Sequence, residues 1–152
     1  MVAPLNGALA IAIHAIIDMS QNADKKRTNS MKRKIGFIGL GVLGSAIVPN
    51  LIGDDFDVVG YDIHHKNIKK LEPLGMQPAN SPCEAAMLSD VLITCLPTVN
   101  SLLEVYGGKT GIDKAQKSGQ IIIETSTFPV EDKEKVKIIM NIFAINIKSL
   151  II

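Results

Sequence analysis

The sequence predicts an α/β fold, a doubly wound and mainly parallel β-sheet with helices on both faces. First, the run IGFI (35–38) is continuously apolar rather than alternating, which is typical of a strand buried on both faces. Second, strand-like and helix-like segments alternate along the chain, an order that gives parallel sheets joined by right-handed crossovers. Third, the glycine-rich segment GLGVLG (39–44) stands between the first strand and the first helix.

The first half of the chain supplies two strands and two helices. We expect a strand over Lys34–Gly39, a helix from about Val42 to Ile52, a strand over 56–62, and a short helix in NIKKLEPLG (67–75). The first helix has apolar residues at helical spacing but contains Pro49, which removes a backbone hydrogen bond and favours a kink. The second should end before Pro73 and Gly75.

The second half repeats the alternation. SPCEAAMLS (81–89) predicts a short helix capped by Ser81 with Pro82 at its first position. A third clear strand follows in DVLITCLP (90–97), then a helix in SLLEVYGG (101–108) that two glycines stop. GQIIIETST (119–127) predicts a fourth clear strand, and PVEDKEKVKIIM (129–140) a charged helix opened by Pro129.

Composition and charge exclude several classes of protein. A length of 152 residues suits one compact domain, and a net charge of +1 with 4% aromatic residues argues against a nucleic-acid partner. The two cysteines, Cys83 and Cys95, are twelve residues apart with no His or Cys at metal-ligand spacing, so we expect no metal site. Cys95 lies in an apolar run and reads as a small buried residue, which fits a reducing, cytoplasmic compartment.

Residues 1–30 differ in character from the rest of the chain. The segment ALAIAIHAII (8–17) is apolar but too short to span a bilayer, and neither a preceding basic residue nor a convincing cleavage site marks it as an export signal. QNADKKRTNS (21–30) is polar and linker-like. We therefore expect no membrane partner, an extension or misplaced start over 1–30 that is not part of the fold, and a folded domain over 31–152.

The glycine segment has the spacing G-x-G-x-x-G, in which each glycine has a physical task. Gly39 permits a tight turn, Gly41 lets a diphosphate approach the backbone, and Gly44 lets helix and strand pack closely. Asp62 ends the next strand 18 residues after Gly44, where an acidic side chain can bind a ribose. This context indicates a dinucleotide-binding fold of the Rossmann type; a plain strand–turn–helix is the alternative.

Asp62 also predicts which dinucleotide is preferred. Its carboxylate can accept hydrogen bonds from ribose hydroxyls, each of about 1.5–3 kcal/mol. A 2′-phosphate at about 4 Å would be repelled by about 4 kcal/mol at an effective dielectric near 20. We therefore expect NAD rather than NADP. His64, His65 and Lys66 follow directly and could soften this preference, although a solvated helix start is their simpler interpretation.

Four ordered motifs resemble the β-hydroxyacid dehydrogenases, a family that includes 3-hydroxyisobutyrate, tartronate semialdehyde and phosphogluconate enzymes. These motifs are GFIGLGVLGSAIVPNL, SPCEAAMLSDVLITCLPT, EVYGGKTGI and ETSTFP, and the resemblance covers roughly 32 to 140. It implies that Leu40, Val42 and Leu43 line the diphosphate, with Leu43 in place of the usual methionine. It also implies that Leu96 and Pro97 edge the cofactor. Ser101, or Asn100 if the loop shifts, would supply a polar contact.

The resemblance assigns a second group of residues to the end of the fourth strand. Ser126 and Thr127 match a Ser-Thr pair that faces the nicotinamide and the carboxylate of the substrate, so Thr127 is predicted to contact both. Glu124 stands where the family usually has Asp. From the residues alone, both hydroxyls could instead cap the helix that Pro129 opens.

The resemblance stops at about Met140. The family continues into a helix that carries a catalytic Lys-x-x-Asn pair and an all-helical second domain, and neither is recognisable here. Lys137 and Asn141 are four apart and on the wrong element, so no catalytic residue is predicted. We expect the NAD(P)-binding part of an oxidoreductase on small 3-hydroxy acids that is inactive without the second domain, and a hydroxy-acid substrate only where that domain is supplied. A stand-alone dinucleotide-binding module and a nonfunctional fragment are the alternatives.

Overall fold

The computed structural model describes residues 33–117, 119–132 and 134. Five strands form one sheet in the order β3-β2-β1-β4-β5, and every neighbouring pair is parallel. The strands are β1 (Lys34–Ile38), β2 (Asp57–Tyr61), β3 (Gln77–Pro78), β4 (Val91–Thr94) and β5 (Ile121–Glu124). The predicted parallel sheet is confirmed.

Helices connect the strands, as the alternation predicts. They are α1 (Val42–Gly53), α2 (His65–Leu71), α3 (Pro82–Met87) and α4 (Val99–Gly107), with 3₁₀ helices at Glu72–Leu74 and Ile112–Ala115. Residues 130–132 and 134 are also helical, directly after Pro129. The helix α1 continues through Pro49 to Gly53, so the proline does not end it.

Two apolar cores lie on opposite faces of the sheet. Neighbouring residues of β4 point to different cores because side chains alternate along a strand. Ile93 packs with Ile47 and Leu51 of α1, whereas Leu92 packs with Leu102 and Tyr106 of α4. The prediction of helices on both faces is therefore confirmed.

Side-chain caps begin the helices on the second face. The Ser81 hydroxyl accepts a hydrogen bond from the Glu84 amide at 3.0 Å, with Pro82 at the first helical position, as predicted. At α4, Thr98 and Ser101 form a reciprocal capping box, which starts the helix two residues earlier than the sequence indicates. These caps fix the loops that follow β3 and β4.

Three elements were not predicted, and one of them is the 3₁₀ helix at Glu72–Leu74, which follows α2 and contains Pro73. The strand β3 has two residues, both exposed at the sheet edge, so it carries no hydrophobic pattern. The 3₁₀ helix at Ile112–Ala115 is held by tertiary packing of Ile112 in the second core rather than by a periodic sequence. The segments 1–30 and 135–152, which include Lys137 and Asn141, lie outside the described residues.

The central strand β1 is the switch point of the sheet. The chain passes from β1 to β2 on one side and later returns to β4 on the other. Two loops therefore separate at the carboxyl end of β1, and parallel sheets bind ligands in the crevice between such loops. No helix in the described part of the chain is long and apolar enough to cross a membrane.

Candidate functional site

A cleft of about 500 Å³ opens at this switch point. Its size is in the range of small-molecule and cofactor sites. Nine of the predicted cofactor residues line it: Gly39, Gly41, Val42, Leu43, Gly44, Asp62, Leu96, Pro97 and Ser101. The fold thus brings together three segments that are far apart in the sequence, because they follow the carboxyl ends of β1, β2 and β4 in one parallel sheet.

The glycine turn owes its shape to two close backbone approaches. Gly39 has φ +96°, and a Cβ atom there would lie 2.0 Å from the Cys95 carbonyl oxygen. A Cβ atom on Gly44 would lie 2.3 Å from the Gly39 carbonyl oxygen and 3.1 Å from the Phe37 ring. No other residue type fits either position without moving β1, α1 or the loop after β4.

Gly41 is different, because a Cβ atom there would meet no atom within 4 Å. The space beside it belongs to the cleft, and Gly41 is also the N-cap of α1, where no side chain caps the helix. The next residue, Val42, is 95% exposed. The first-turn amides of α1 and the positive end of its dipole are therefore open to an anion such as a diphosphate.

The Asp62 carboxylate faces the glycine turn from the end of β2. Its Oδ2 accepts from the Leu40 amide at 2.7 Å and from Asn67 Nδ2 at 3.1 Å, and its Oδ1 accepts from the His64 amide at 2.7 Å. Leu40 contributes only backbone here, since its side chain is fully buried in the core. Three donors from two elements fix the orientation of the carboxylate at the edge of the cleft.

The opposite wall is built by the loop after β4. The Leu96 amide donates to the Ser126 hydroxyl at 2.8 Å, and Pro97 is exposed beside it. The Ser101 hydroxyl lines the cleft but is used by the capping box with Thr98, at 3.1 Å from the Thr98 amide. Asn100, the alternative to Ser101, is exposed and does not line the cleft.

Ser126 and Thr127 do not line this cleft. Ser126 is 5% exposed and supports the wall through Leu96, whereas Thr127 is exposed at the carboxyl end of the sheet. The Ser126 amide donates to Glu124 Oε1 at 2.6 Å, so the last side chain of β5 holds the backbone directly after that strand. Ser126 therefore lies behind Leu96, which lines the cleft, and Thr127 is exposed.

Burial is the main cause of the raised pKa values of three side chains, Cys95, Cys83 and Tyr106. Burial raises the pKa of the Cys95 thiol, which lines the cleft, while a hydrogen bond with Thr125 opposes the rise. Burial also raises the pKa of Cys83, assisted by the Asp113 carboxylate, and raises the pKa of Tyr106 well above its usual range. Both cysteines are free of disulfide bonds, and no cluster of metal-binding side chains occurs among the residues described.

Sequence reasoning missed several lining residues. Asn67, Glu104 and Thr110 all face the cleft, each from a different segment of the fold. Asn67 is one turn into α2 and so lies on the side of Asp62, a relation that helical spacing after a strand could have suggested. Glu104 and Thr110 lie in the motif EVYGGKTGI (104–112), but that motif does not show that they reach the cleft; the packing of α4 and of the loop after it against the sheet places them here.

The fold and cleft define a dinucleotide-binding domain of the Rossmann type: a glycine turn at a helix N-terminus, an acidic residue directly after β2, and a switch point between them. The sequence model for the NAD binding domain of 6-phosphogluconate dehydrogenase matches residues 34–142. The chain belongs to this family and is an NAD- or NADP-binding domain.

Curated relatives support the same assignment. The chain is 38% identical over 112 residues to 3-hydroxyisobutyrate dehydrogenase, mitochondrial, of Rattus norvegicus, covering 73% of this chain and 33% of the relative. It is 32% identical over 94 residues to 2-(hydroxymethyl)glutarate dehydrogenase of Eubacterium barkeri, covering 62% of this chain and 31% of the relative. The resemblance to β-hydroxyacid dehydrogenases is thus confirmed, and the chain spans about a third of the length of these relatives.

Solved structures show the same fold. Mycobacterium tuberculosis 3-hydroxyisobutyrate dehydrogenase with L-serine superposes with a TM-score of 0.69 at 27% identity, over 80% of this chain and 40% of that one. An imine reductase variant from Myxococcus stipitatus in complex with NAD⁺ gives a TM-score of 0.72 at 15% identity, over 80% and 41%. The second likeness supports the fold alone.

Proposed function

We propose that the cleft binds NAD in preference to NADP, with Asp62 as the group that discriminates. The observation that carries this proposal is the position of the Asp62 carboxylate, 2.7 Å from the Leu40 amide at the glycine turn. A dinucleotide whose diphosphate lies on the α1 N-terminus would bring its adenosine ribose to this carboxylate. The amides of Val42 and Leu43, in the first turn of α1, are the proposed diphosphate contacts.

The preference follows from charge. Ribose hydroxyls donate to a carboxylate, whereas a 2′-phosphate at about 4 Å would be repelled by about 4 kcal/mol at an effective dielectric of 20. His64 lines the cleft beside Asp62, but its backbone amide already donates to Asp62 Oδ1. Its imidazole is exposed, and His65 and Lys66, which follow it, are exposed as well but do not line the cleft.

The nicotinamide half is proposed to lie against Leu96 and Pro97, across β1 from Asp62. Ser101 borders this part of the cleft from α4. Thr127, directly after β5, is proposed to contact the nicotinamide or a substrate carboxylate once a second domain closes over the exposed edge of the sheet, whereas the buried Ser126 supports the Leu96 backbone. The exposure of Thr127 supports this order of assembly.

The longer protein to which such a domain belongs is proposed to be an oxidoreductase that transfers hydride between NAD and a small 3-hydroxy acid. No lysine lines the cleft in the described part of the chain. A general acid or base contributes about 10²–10⁴-fold to such reactions. We therefore expect the 152-residue chain to bind cofactor with little or no turnover of 3-hydroxyisobutyrate.

A cytoplasmic location is part of the proposal, supported by two cysteines that form no disulfide. The mammalian relatives are named as mitochondrial proteins, so the mitochondrion is the alternative location to test. Fractionation of eukaryotic cells that express the tagged chain decides between them. Recovery in the mitochondrial matrix would overturn the cytoplasmic assignment.

Calorimetric titration of the purified chain with NAD, NADH, NADP and NADPH tests the cleft directly. We expect heat with all four and about tenfold or greater preference for NAD and NADH, because a tenfold ratio needs only about 1.4 kcal/mol of the repulsion to remain after screening by salt. Asp62→Ala should weaken NAD binding more than NADP binding. Asp57→Ala, an exposed acid at the opposite end of β2, is the matched control.

Two results would count against the proposal. Absence of heat with every cofactor would remove dinucleotide binding altogether. An NAD-to-NADP ratio that is the same for Asp62→Ala and the native chain would leave binding intact but assign the preference to other residues.

A further inference from the structure

A buried polar chain links α4 to the cleft wall. Thr94, Tyr106 and Glu124 are each at most 4% exposed. The Thr94 hydroxyl lies 2.5 Å from Glu124 Oε2 and 3.0 Å from the Tyr106 hydroxyl. Because a carboxylate only accepts, Thr94 donates its single proton to Glu124, and Tyr106 must then donate to Thr94.

The other carboxylate oxygen continues the chain toward the cleft. Glu124 Oε1 accepts from the Ser126 amide at 2.6 Å, and the Ser126 hydroxyl accepts from the Leu96 amide at 2.8 Å. Thr125, between them, donates through its amide and its hydroxyl to the Thr94 carbonyl, each at 2.9 Å. Four hydrogen bonds thereby join the carboxyl ends of β4 and β5. One of them, from the Leu96 amide to the Ser126 hydroxyl, holds backbone that lines the cleft.

A buried carboxylate that is held by a hydroxyl and an amide is a costly way to join two strands. Desolvation penalises the charge, and an apolar or neutral pair could fill the same volume at lower cost. Isoleucines occupy the three preceding positions of β5, at 121–123. The acid therefore replaces an apolar side chain only at the strand end nearest the cleft.

We propose that Glu124 is a positioning residue for the nicotinamide half of the bound dinucleotide. This inference rests on the proposed function. Asp62 lies on the β2 side of β1 and Leu96 on the β4 side, so the two halves of a dinucleotide that crosses the glycine turn meet different walls. Glu124 is connected to the wall formed by the loop after β4, through Ser126 and then Leu96.

The Kd values of the 152-residue chain for NADH and for ADP distinguish the contributions of the two walls to binding, because ADP lacks the nicotinamide nucleoside. We expect Glu124→Ala and Ser126→Ala to raise the Kd for NADH about tenfold and to leave the Kd for ADP within about twofold. Ser126→Ala deletes one oxygen at the strand end and keeps the test valid if Glu124→Ala does not fold.

Glu124→Gln provides the conservative rescue. Its amide oxygen can accept from Ser126 and its amide nitrogen can donate to the Thr94 hydroxyl, so the connection survives without the charge. We expect its Kd for NADH within about threefold of the native value. Ser89→Ala, which removes a buried hydroxyl before β4, away from the cleft, is the control for simple loss of stability.

The outcomes are distinct. If both alanine variants weaken the binding of NADH and of ADP equally, Glu124 has only a structural role and the inference is overturned. Any effect of Ser89→Ala on binding should be of this equal kind. A Glu124→Gln variant that binds NADH as weakly as Glu124→Ala would also overturn the inference. Failure of the native chain to bind either ligand would instead overturn the proposed function.

Discussion

The Asp62 carboxylate accepts a hydrogen bond from the Leu40 amide at 2.7 Å, which joins the end of β2 to the turn after β1. The Gly39 amide makes a second link between these strands, to the Tyr61 carbonyl at 3.0 Å. The residue proposed to recognise the ribose therefore also holds the backbone that is proposed to bind the diphosphate. Recognition of the sugar and the shape of the glycine turn are coupled through one side chain.

This coupling predicts that Asp62→Ala destabilises the chain even without cofactor. The Leu40 amide would lose its acceptor, at a cost of about 1–3 kcal/mol in the free energy of unfolding. Urea denaturation measures this loss. The exposed Asp57→Ala control should change the free energy by less than about 0.5 kcal/mol. Equal stability of the two variants would contradict the structural role.

Gly41→Ala should separate binding from folding. A methyl group there meets no atom within 4 Å, so the thermal midpoint should not fall, whereas the methyl group would occupy space that the diphosphate needs. We expect the Kd for NAD to rise about tenfold or more. Gly53→Ala, at the far end of α1, also meets nothing within 4 Å and should leave binding unchanged. Native affinity in Gly41→Ala would show that the diphosphate binds elsewhere.

Gly39→Ala should have the opposite profile and damage the fold itself. Its Cβ would lie 2.0 Å from the Cys95 carbonyl oxygen at a φ of +96°. Neither a backbone atom nor this dihedral adjusts cheaply, so we expect a loss of about 3 kcal/mol or more, or no soluble protein. Circular dichroism and thermal melting provide the measurement. A native-like melting curve would mean that the turn tolerates an ordinary residue.

Tyr106 should make stability fall at alkaline pH. Burial, reinforced by the Glu124 charge, raises its pKa well above the usual value of 10. The folded chain thus keeps a proton that the unfolded chain releases, so stability falls as pH rises from about 10 toward the raised pKa, by up to about 1.4 kcal/mol per pH unit. Tyr106→Phe should flatten this part of the curve. If the free energies of unfolding of the native chain and of Tyr106→Phe depend on pH in the same way above pH 10, the raised pKa of Tyr106 is contradicted.

Cofactor binding should protect Cys95 from alkylation. Cys95 lines the cleft and Cys83 does not, although burial raises the pKa of both thiols. At mildly alkaline pH, saturating NADH should slow labelling of Cys95 by iodoacetamide about tenfold or more, in line with occlusion of most of the free population. Cys83 is the internal reference in the same peptide digest. Slowing of both to the same degree would indicate global stabilisation instead.

The sequence by itself was sufficient for the class of fold and for most of one wall of the cleft. Both are encoded locally: continuous apolar runs mark buried strands, and the glycine spacing fixes the turn and the helix that follows it. Asp62 was predictable too, because it ends the strand next after that turn. The edge strand β3 was not, since two exposed residues carry no periodic pattern.

Only the tertiary structure decided how the cleft wall at Leu96, in the loop after β4, is built. Ser126 appeared as a candidate ligand contact, but packing buries it behind Leu96 as a hydrogen-bond acceptor. The hydrogen bonds that connect Tyr106, Thr94 and Glu124 join residues up to 30 positions apart in the sequence. These residues come from α4 and from the neighbouring strands β4 and β5. Long-range pairing is set by the balance of burial and hydrogen bonding over the whole sheet, and no local pattern records it.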